Sequence, residues 1–163
     1  MSEPVTDERI RFLQNLRDGL LGSEKRSKPA LVFVRYVEFG LHENAAAAIE
    51  DAFTCIEWAR VDLRQDASWT KIQQAAQAPR APKNPRGLLL HSLPMVTGGG
   101  VERRAVRELA RLSSYFLRKG TIAIFIVTPE EAQAIMEDAV ALWTGRAGYY
   151  AWPQRSRPLE GRN

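Results

Sequence analysis

The segment Arg35-Tyr36-Val37-Glu38-Phe39-Gly40-Leu41-His42 stands where a phosphate-binding loop would stand, between an apolar run and an alanine-rich stretch. A working loop of the form GxxxxGK[ST] uses glycines so that backbone N–H groups can approach the phosphates. Its lysine neutralises their charge, and its hydroxyl helps hold Mg²⁺. Here Arg35 takes the first glycine position, Leu41 the lysine position and His42 the hydroxyl position, and Gly40 alone is kept. Leucine cannot neutralise a phosphate, Tyr36 and Phe39 suit packing better than backbone exposure, and Glu38 would repel a triphosphate. The other half of such a site is a strand-end carboxylate for Mg²⁺, a hard ion that prefers carboxylate oxygen. After Leu88-Leu89-Leu90 that position is filled by His91 and Ser92. Both halves fail independently, so no catalytic residue, no metal ligand and no cofactor is expected.

Other groups could still carry chemistry. Thr97-Gly98-Gly99-Gly100 precedes a helix, so the amides of Gly98, Gly99 and Gly100 form a candidate anion loop, aided by Arg103 and Arg104 and opposed by Glu102. The plainer reading is a flexible turn. His42, Glu43 and His91 sit on loops expected to converge at the carboxyl edge of a sheet. A hydrolase would want a carboxylate orienting one histidine beside a nucleophile, and Ser92 adjoins His91 without a GxSxG elbow. Two histidines with no nearby cysteine pair give no recognisable metal spacing. Thr128 matches the place of a polar sensor, but the Pro129-Glu130-Glu131 that follows favours a helix cap. Cys55 opens an apolar run and reads as a buried structural thiol. Trp58, Trp69, Trp143 and Trp152 read as core residues. Tyr149, Tyr150 and Trp152, beside basic residues, form the candidate protein-docking surface.

The elements that would position these residues follow from periodicity. Apolar residues at Ile10, Leu13, Leu16, Leu20 and Leu21 predict a helix over 7–21, capped by Thr6 or Asp7 and ended by Gly22. Ala30 to Val34 predicts a buried strand, and 44–53 a helix with Asn44 as cap. Residues 55–63 alternate apolar and polar, as a half-exposed strand nearer a sheet edge does. A short helix over 68–78 follows, capped by Asp66 or Ser68, then a proline-rich extended connection over 78–86. Residues 87–96 are apolar enough for a central strand, and 101–119 predict one long helix stopped by Gly120. The most hydrophobic run, 121–127, is a buried strand. Thr128 caps a helix running to about Trp143, and 149–152 form a last short strand.

Strand and helix therefore alternate, which demands crossover connections and a mainly parallel sheet. The expected fold class is α/β: a three-layer sandwich with a sheet of four or five strands and helices on both faces. The organisation read from the chain is an N-terminal helix and connector over 1–28, one α/β domain over 29–153 and a basic tail over 154–163. This pattern, with its proline-rich joint and empty phosphate-loop and acid positions, resembles the inactive relatives of the STAND class of P-loop NTPases. Those degenerate domains occur in bacterial conflict and signalling systems. The resemblance covers roughly 29–153 and rests on absent residues. It implies a non-catalytic scaffold or adaptor that acts through protein contacts with an effector or sensor.

Composition agrees with a globular chain: 163 residues, 45% hydrophobic and 26% charged. No apolar run approaches the roughly 18 residues of a membrane span. The acidic, polar N-terminus does not read as a secretory signal, and a single cysteine suits a reducing cytosol. The 23 basic residues exceed the 19 acidic ones chiefly in connectors and tail, without the focused face of a nucleic-acid module. Three functions remain open at this level. The favoured one is a non-enzymatic interaction domain with a protein partner, cytoplasmic, with no membrane association and no nucleic acid. The second is a small nucleotide- or anion-binding enzyme or sensor using the edge of His42, His91 and Gly98–Gly100. The third is a nucleic-acid accessory factor.

Overall fold

A computed structural model describes residues 4–25, 30–37, 41–64, 69–77, 84–117 and 121–153. Its elements are α1 (Pro4–Lys25), β1 (Ala30–Arg35), α2 (Leu41–Ala52), β2 (Glu57–Asp62), α3 (Trp69–Ala76), β3 (Arg86–His91), α4 (Arg103–Arg111), α5 (Ser113–Phe116), β4 (Ile122–Val127), α6 (Pro129–Asp138), α7 (Val140–Thr144) and β5 (Gly148–Ala151). The five strands form one sheet in the order β2-β3-β4-β1-β5, and every pairing is parallel. The expected α/β three-layer architecture is what the chain adopts. β1 and β4 lie centrally and are buried on both faces, which is why their sequences are apolar without alternation. β2 is an edge strand with an alternating sequence, and β3 is interior, both as expected.

Strand order decides which face each helix covers. The step from β1 to β2 runs outward past β4 and β3, whereas β2 to β3, β3 to β4 and β4 to β5 all run back. With right-handed crossovers, α2 must lie on one face and the helices of the return steps on the other. The cores show that partition. Leu31, Phe33, Leu88, Leu90 and Phe125 pack with Ile72, Val106, Leu109, Phe116, Ile135 and Leu142. Val32, Val34, Leu89, Ile124 and Ile126 pack with Phe12, Leu16 and Leu20 of α1 and Ala45, Ala46 and Ile49 of α2. Phe33, Phe116 and Phe125 are fully buried. Each such side chain contributes about 1.5–3 kcal/mol by leaving water. Phe33 and Phe125 stack with centroids 5.2 Å apart, and Phe116 meets Phe125 edge-on at 5.2 Å.

Several expectations are corrected in detail. α1 passes through Gly22 to Lys25, and α2 begins at Leu41, so Asn44 lies inside the helix rather than capping it. β3 ends at His91 because Ser92 turns the chain with φ 63°. The long helix breaks at Leu112 (φ −95°, ψ 9°), where Ser113 Oγ donates back to the Ala110 carbonyl at 2.7 Å. The last helix breaks at Ala139 (φ −134°, ψ 55°), leaving α6 and α7. Cys55 is exposed rather than buried, since it sits in the turn between α2 and β2 that Ile56 N–H closes on the Phe53 carbonyl at 3.2 Å. Asp66 and Ser68, the suggested caps of α3, and Gly120 lie outside the described residues.

Gly87 pairs with Trp58 across β2 and β3. A Cβ there would stand 2.5 Å from the indole ring and 2.7 Å from Ile56 Cγ2. The strand needs glycine so that the tryptophan can lie over it. Gly87→Ala is therefore expected to lower unfolding free energy by about 1–3 kcal/mol, as overpacking does. Urea denaturation checks this, with an unchanged midpoint counting against the close approach.

Candidate functional site

At the carboxyl ends of β1 and β4 the chain leaves toward opposite faces, into α2 and α6. Open parallel sheets place their crevice at such a switch point. Around it gather Tyr36 after β1, His42 in the first turn of α2, Asp62 and Arg64 at the end of β2, His91 and Ser92 at the end of β3, and Thr128 and Glu131 at the start of α6.

Glu131 holds these elements together. It is only 5% exposed. Its Oε1 accepts the Thr128 N–H at 2.8 Å, and Thr128 Oγ1 accepts the Glu131 N–H at 3.1 Å, a reciprocal capping box. Its Oε2 accepts the Leu93 N–H at 2.8 Å, tying α6 to the loop after β3. Burial pushes its pKa above the ordinary carboxylate value, and the bonds from Thr128 and Leu93 pull the other way.

His91 and His42 stack with ring centroids 4.8 Å apart and planes at 29°. His91 Nδ1 lies 2.8 Å from Ser92 Oγ, both residues being buried. Burial, then the neighbouring His42, lowers the His91 pKa, while Asp62 and Glu43 raise it and Arg64 lowers it. His42 Nε2 sits 3.4 Å from Glu43 Oε1, and the Tyr36 ring lies 5.8 Å from His42. Tyr36 is buried and its hydroxyl is pushed up to about 12, by burial first and then by the charge of Glu131. Asp62 accepts the Arg64 N–H at 3.0 Å and pairs with its guanidinium at 3.1 Å. Burial would raise the Asp62 pKa, but the hydrogen bonds from Arg64 outweigh it and hold the carboxyl below its ordinary value. Arg60 reaches Glu43 at 2.8 Å and Glu50 at 2.7 Å, clamping α2 onto β2.

No family model matches this sequence, and no curated protein matches it. Solved structures do match in shape. The Aeropyrum pernix ORC2 protein, solved as ADPNP–ADP complexes, aligns with 95% of this chain at a TM-score of 0.54 and 10% identity. Drosophila ORC bound to AT-rich DNA and Cdc6 aligns at a TM-score of 0.43 and 10% identity, covering 91% of this chain and 57% of that one. Drosophila ORC bound to GC-rich DNA and Cdc6 gives 0.45 and 8%, covering 94% and 60%. This chain spans 49% of the Aeropyrum chain. The fold is P-loop NTPase-like.

Within that fold the expected site residues fall as follows. Arg35 is the last residue of β1 and its guanidinium lies 6.0 Å over the Tyr149 ring. Leu41 opens α2, while Glu38, Phe39 and Gly40 lie outside the described residues. His91 ends β3 and Ser92 follows it, at the strand end where a P-loop NTPase-like fold would present its acid. Among the described residues no three His, Cys, Asp or Glu side chains are grouped to hold a metal ion. The two histidines come together, but Gly98, Gly99 and Gly100 do not join them. They form the tip of a hairpin with φ of 95°, 103° and 92°, and a Cβ on Gly98 or Gly99 would meet no atom within 4 Å. The N-terminus of α4 is capped by the Glu102 carboxylate, which accepts the Arg104 N–H at 2.9 Å.

The aromatic cluster at the end of the chain is divided rather than one surface. Tyr149 packs edge-on against Trp143 at 4.9 Å on the α7 face. Tyr150 packs with α1's core, and Trp152 is buried, edge-on to Phe12 at 5.1 Å with the Arg9 guanidinium over its ring. A docking surface made of Tyr149, Tyr150 and Trp152 together is thus corrected: alternation along β5 sends neighbours to opposite faces. Glu131 escaped the sequence reading as a site residue. The signal was present, since it shares a helical face with Ala134 and Ile135 at the third and fourth positions on.

Glu131→Ala leaves the Leu93 and Thr128 amides without their acceptor, and a loss of about 2–4 kcal/mol is expected by denaturation. An unchanged stability would show that water replaces the carboxylate. A separate expectation concerns acid. Because the folded state holds His91 below its ordinary value, the stability it contributes is complete above about pH 6.5 and declines as pH falls below it. Glu131, raised in the folded state, acts in the opposite sense: its stabilisation is present at low pH and lost as pH rises through its folded pKa. Comparing wild type with His91→Gln isolates the first effect. The variant should lose less stability on acidification, and parallel pH curves would remove His91 from the account.

Proposed function

We propose that this P-loop NTPase-like domain is a catalytically silent scaffold that acts as an adaptor through protein contacts. The observation that carries this is the internal commitment of the carboxyl edge. The Glu131 carboxylate is engaged by Leu93 and by Thr128, the cap of α6; Asp62 by Arg64; Glu43 and Glu50 by Arg60. A nucleotide site at this edge would need a free carboxylate for Mg²⁺ and a cation for the phosphates. The lysine position holds leucine, and the strand-end acid is His91-Ser92. The Ser92–His91 contact has the atoms of a nucleophile and base, yet the amide of the next residue, which would receive an oxyanion, is taken by Glu131. Resemblance of these losses to inactive STAND-type domains supports a place in a bacterial defence or signalling system. No described helix is long and apolar enough to cross a membrane.

Calorimetry and thermal denaturation with Mg·ATP and Mg·GTP test the reading. A nucleotide present at 100 times its Kd would add about 2.7 kcal/mol, or roughly 5–10 °C of Tm for a chain this size. The expected result is no saturable heat and no such shift. A shift that disappears in His91→Ala would overturn the proposal in favour of a nucleotide sensor built on the histidine pair.

A further inference from the structure

His42 and His91 meet from two elements that are held very differently. His91 is the last residue of β3, in register with Asp62 on one side and Ile126 on the other. Its carbonyl accepts the Leu63 N–H at 2.9 Å, and it is buried with Nδ1 2.8 Å from Ser92 Oγ. His42 stands in the first turn of α2, a helix end where a cation is unfavourable. The rings stack with centroids 4.8 Å apart. One imidazolium is tolerated in such a stack, but two like charges at that distance repel strongly in a partly buried site. Among the described residues, the charges that face the pair are already matched. After β1, the Tyr36 ring lies 5.8 Å from His42, and its hydroxyl, pushed up to about 12, stays neutral. On α2, Glu43 lies 3.4 Å from His42 Nε2 but also takes Arg60 at 2.8 Å. At the end of β2, Asp62 is paired with Arg64 at 3.1 Å, and that guanidinium adds to the repulsion on His91. At the head of α6, Glu131 is bound by the Leu93 and Thr128 amides. One charge on the pair is answered by Glu43; a second finds every described carboxylate spent.

We propose that the stacked His42–His91 pair is a proton-operated latch: closed, it holds the first turn of α2 against the end of β3, and acid that charges both rings parts them and unwinds that turn while the sheet stays folded. His91 is fixed by its strand pairings, so the movement falls to His42. The rest of α2 stays seated through Ala45, Ala46 and Ile49, all buried, and through Arg60 on Glu50. Histidine suits the task because its ordinary pKa lies between pH 5 and 8. Burial and the neighbouring His42 lower the His91 pKa, which sets opening below the ordinary value of 6.5. The latch is therefore closed at neutral pH and opens as pH falls. This inference goes beyond the adaptor reading and does not rest on it. It gives the carboxyl edge two states, and only the acid one presents the histidine rings to solvent.

Amide hydrogen exchange of the full chain, read by NMR and corrected for the intrinsic pH dependence, tests the latch. The amides of Ala45, Ala46 and Ala47 pair within the helix with the carbonyls of Leu41, His42 and Glu43. Their protection is expected to fall about tenfold or more between about pH 7.5 and about pH 5.5, tenfold being the factor that one pKa unit of ring–ring repulsion represents. Protection at Phe33 and Phe125, in the central strands β1 and β4, should hold. His42→Phe keeps a flat ring over His91 without a charge, so its α2 protection should be the same at both pH values. In that variant the His91 ring resonances should titrate at higher pH than in wild type, because the neighbouring cation is gone. An unmoved His91 midpoint overturns the coupling and with it the latch. Equal acid loss in His42→Phe also overturns it and moves the cause to Glu43, Asp62 or Glu131. Sheet and α2 losing protection together replace the latch by ordinary acid unfolding, and unchanged wild-type protection removes it outright. Should His42→Phe not fold, the wild-type ring titration decides: coupled two-step curves on both histidines support the latch, and two independent single steps overturn it. No partner or nucleotide enters these measurements, so their failure leaves the adaptor reading standing.

Discussion

A carboxylate moved from water into an apolar interior loses several kcal/mol of solvation unless donors surround it. Glu131 is such a group, and the donors it recruits determine how the carboxyl edge of the sheet is assembled. One oxygen takes the amide at the head of α6 and the other takes the amide of Leu93, the second residue after β3. β4 leads directly into α6, so a single side chain fixes two neighbouring strand ends and one helix N-terminus. The remaining residues of the edge fit around that arrangement. Tyr36 N–H continues the sheet by donating to the Val127 carbonyl at 2.9 Å, and Leu63 N–H donates to the His91 carbonyl at 2.9 Å.

The same bonds explain why a strained Ser92 is tolerated. A non-glycine residue in the left-handed region persists only where its surroundings over-determine it. Ser92 is held on one side by the last register pair of β3 and on the other by the anchored Leu93, and its hydroxyl meets His91. Turning the chain there ends β3 and sends the following residues into the hairpin instead of directly into α4. Backbone strain of this kind is often a sign of function. Here its structural consequence is the direction of the hairpin.

Much of the fold is legible in the sequence because doubly covered parallel strands need apolar residues on both faces. Ala30–Val34 and Ile122–Val127 therefore stand out as short unbroken runs, and Thr128-Pro129-Glu130-Glu131 announces its helix by capping chemistry alone. What stayed hidden depends on tertiary contact. Strand order leaves no local trace, although once it is known the right-handed rule assigns the faces. The breaks at Leu112 and Ala139 occur inside sequences with good helical periodicity. Exposure of Cys55 follows from where a turn falls, and periodicity places turn boundaries poorly. Within the site, the meeting of His42 with His91 was readable from two strand-end loops, because a parallel sheet collects all such loops at one edge. The burial of Glu131 was written only in its spacing to Ala134 and Ile135 on one face of α6, a signal that the usual solvation of a first-turn acid masks.

A nucleotide-binding edge carries unsatisfied amides and cations whose cost is relieved when the anion arrives, so its ligand contributes to its stability. The described residues of this edge pair their charges with one another. Its described carboxylates are matched by amides or guanidinium groups of the same chain, and its two imidazoles are stacked, with burial lowering the pKa of His91. Arg60 closes the remaining gap between α2 and β2 through Glu43 and Glu50, although such half-exposed pairs each contribute only about 0–1 kcal/mol. An edge whose polar groups are answered from within has no large desolvation cost left for an incoming ligand to relieve. Under the adaptor proposal the scaffold would then stay folded without one, and its loops would be shaped by what they contact outside.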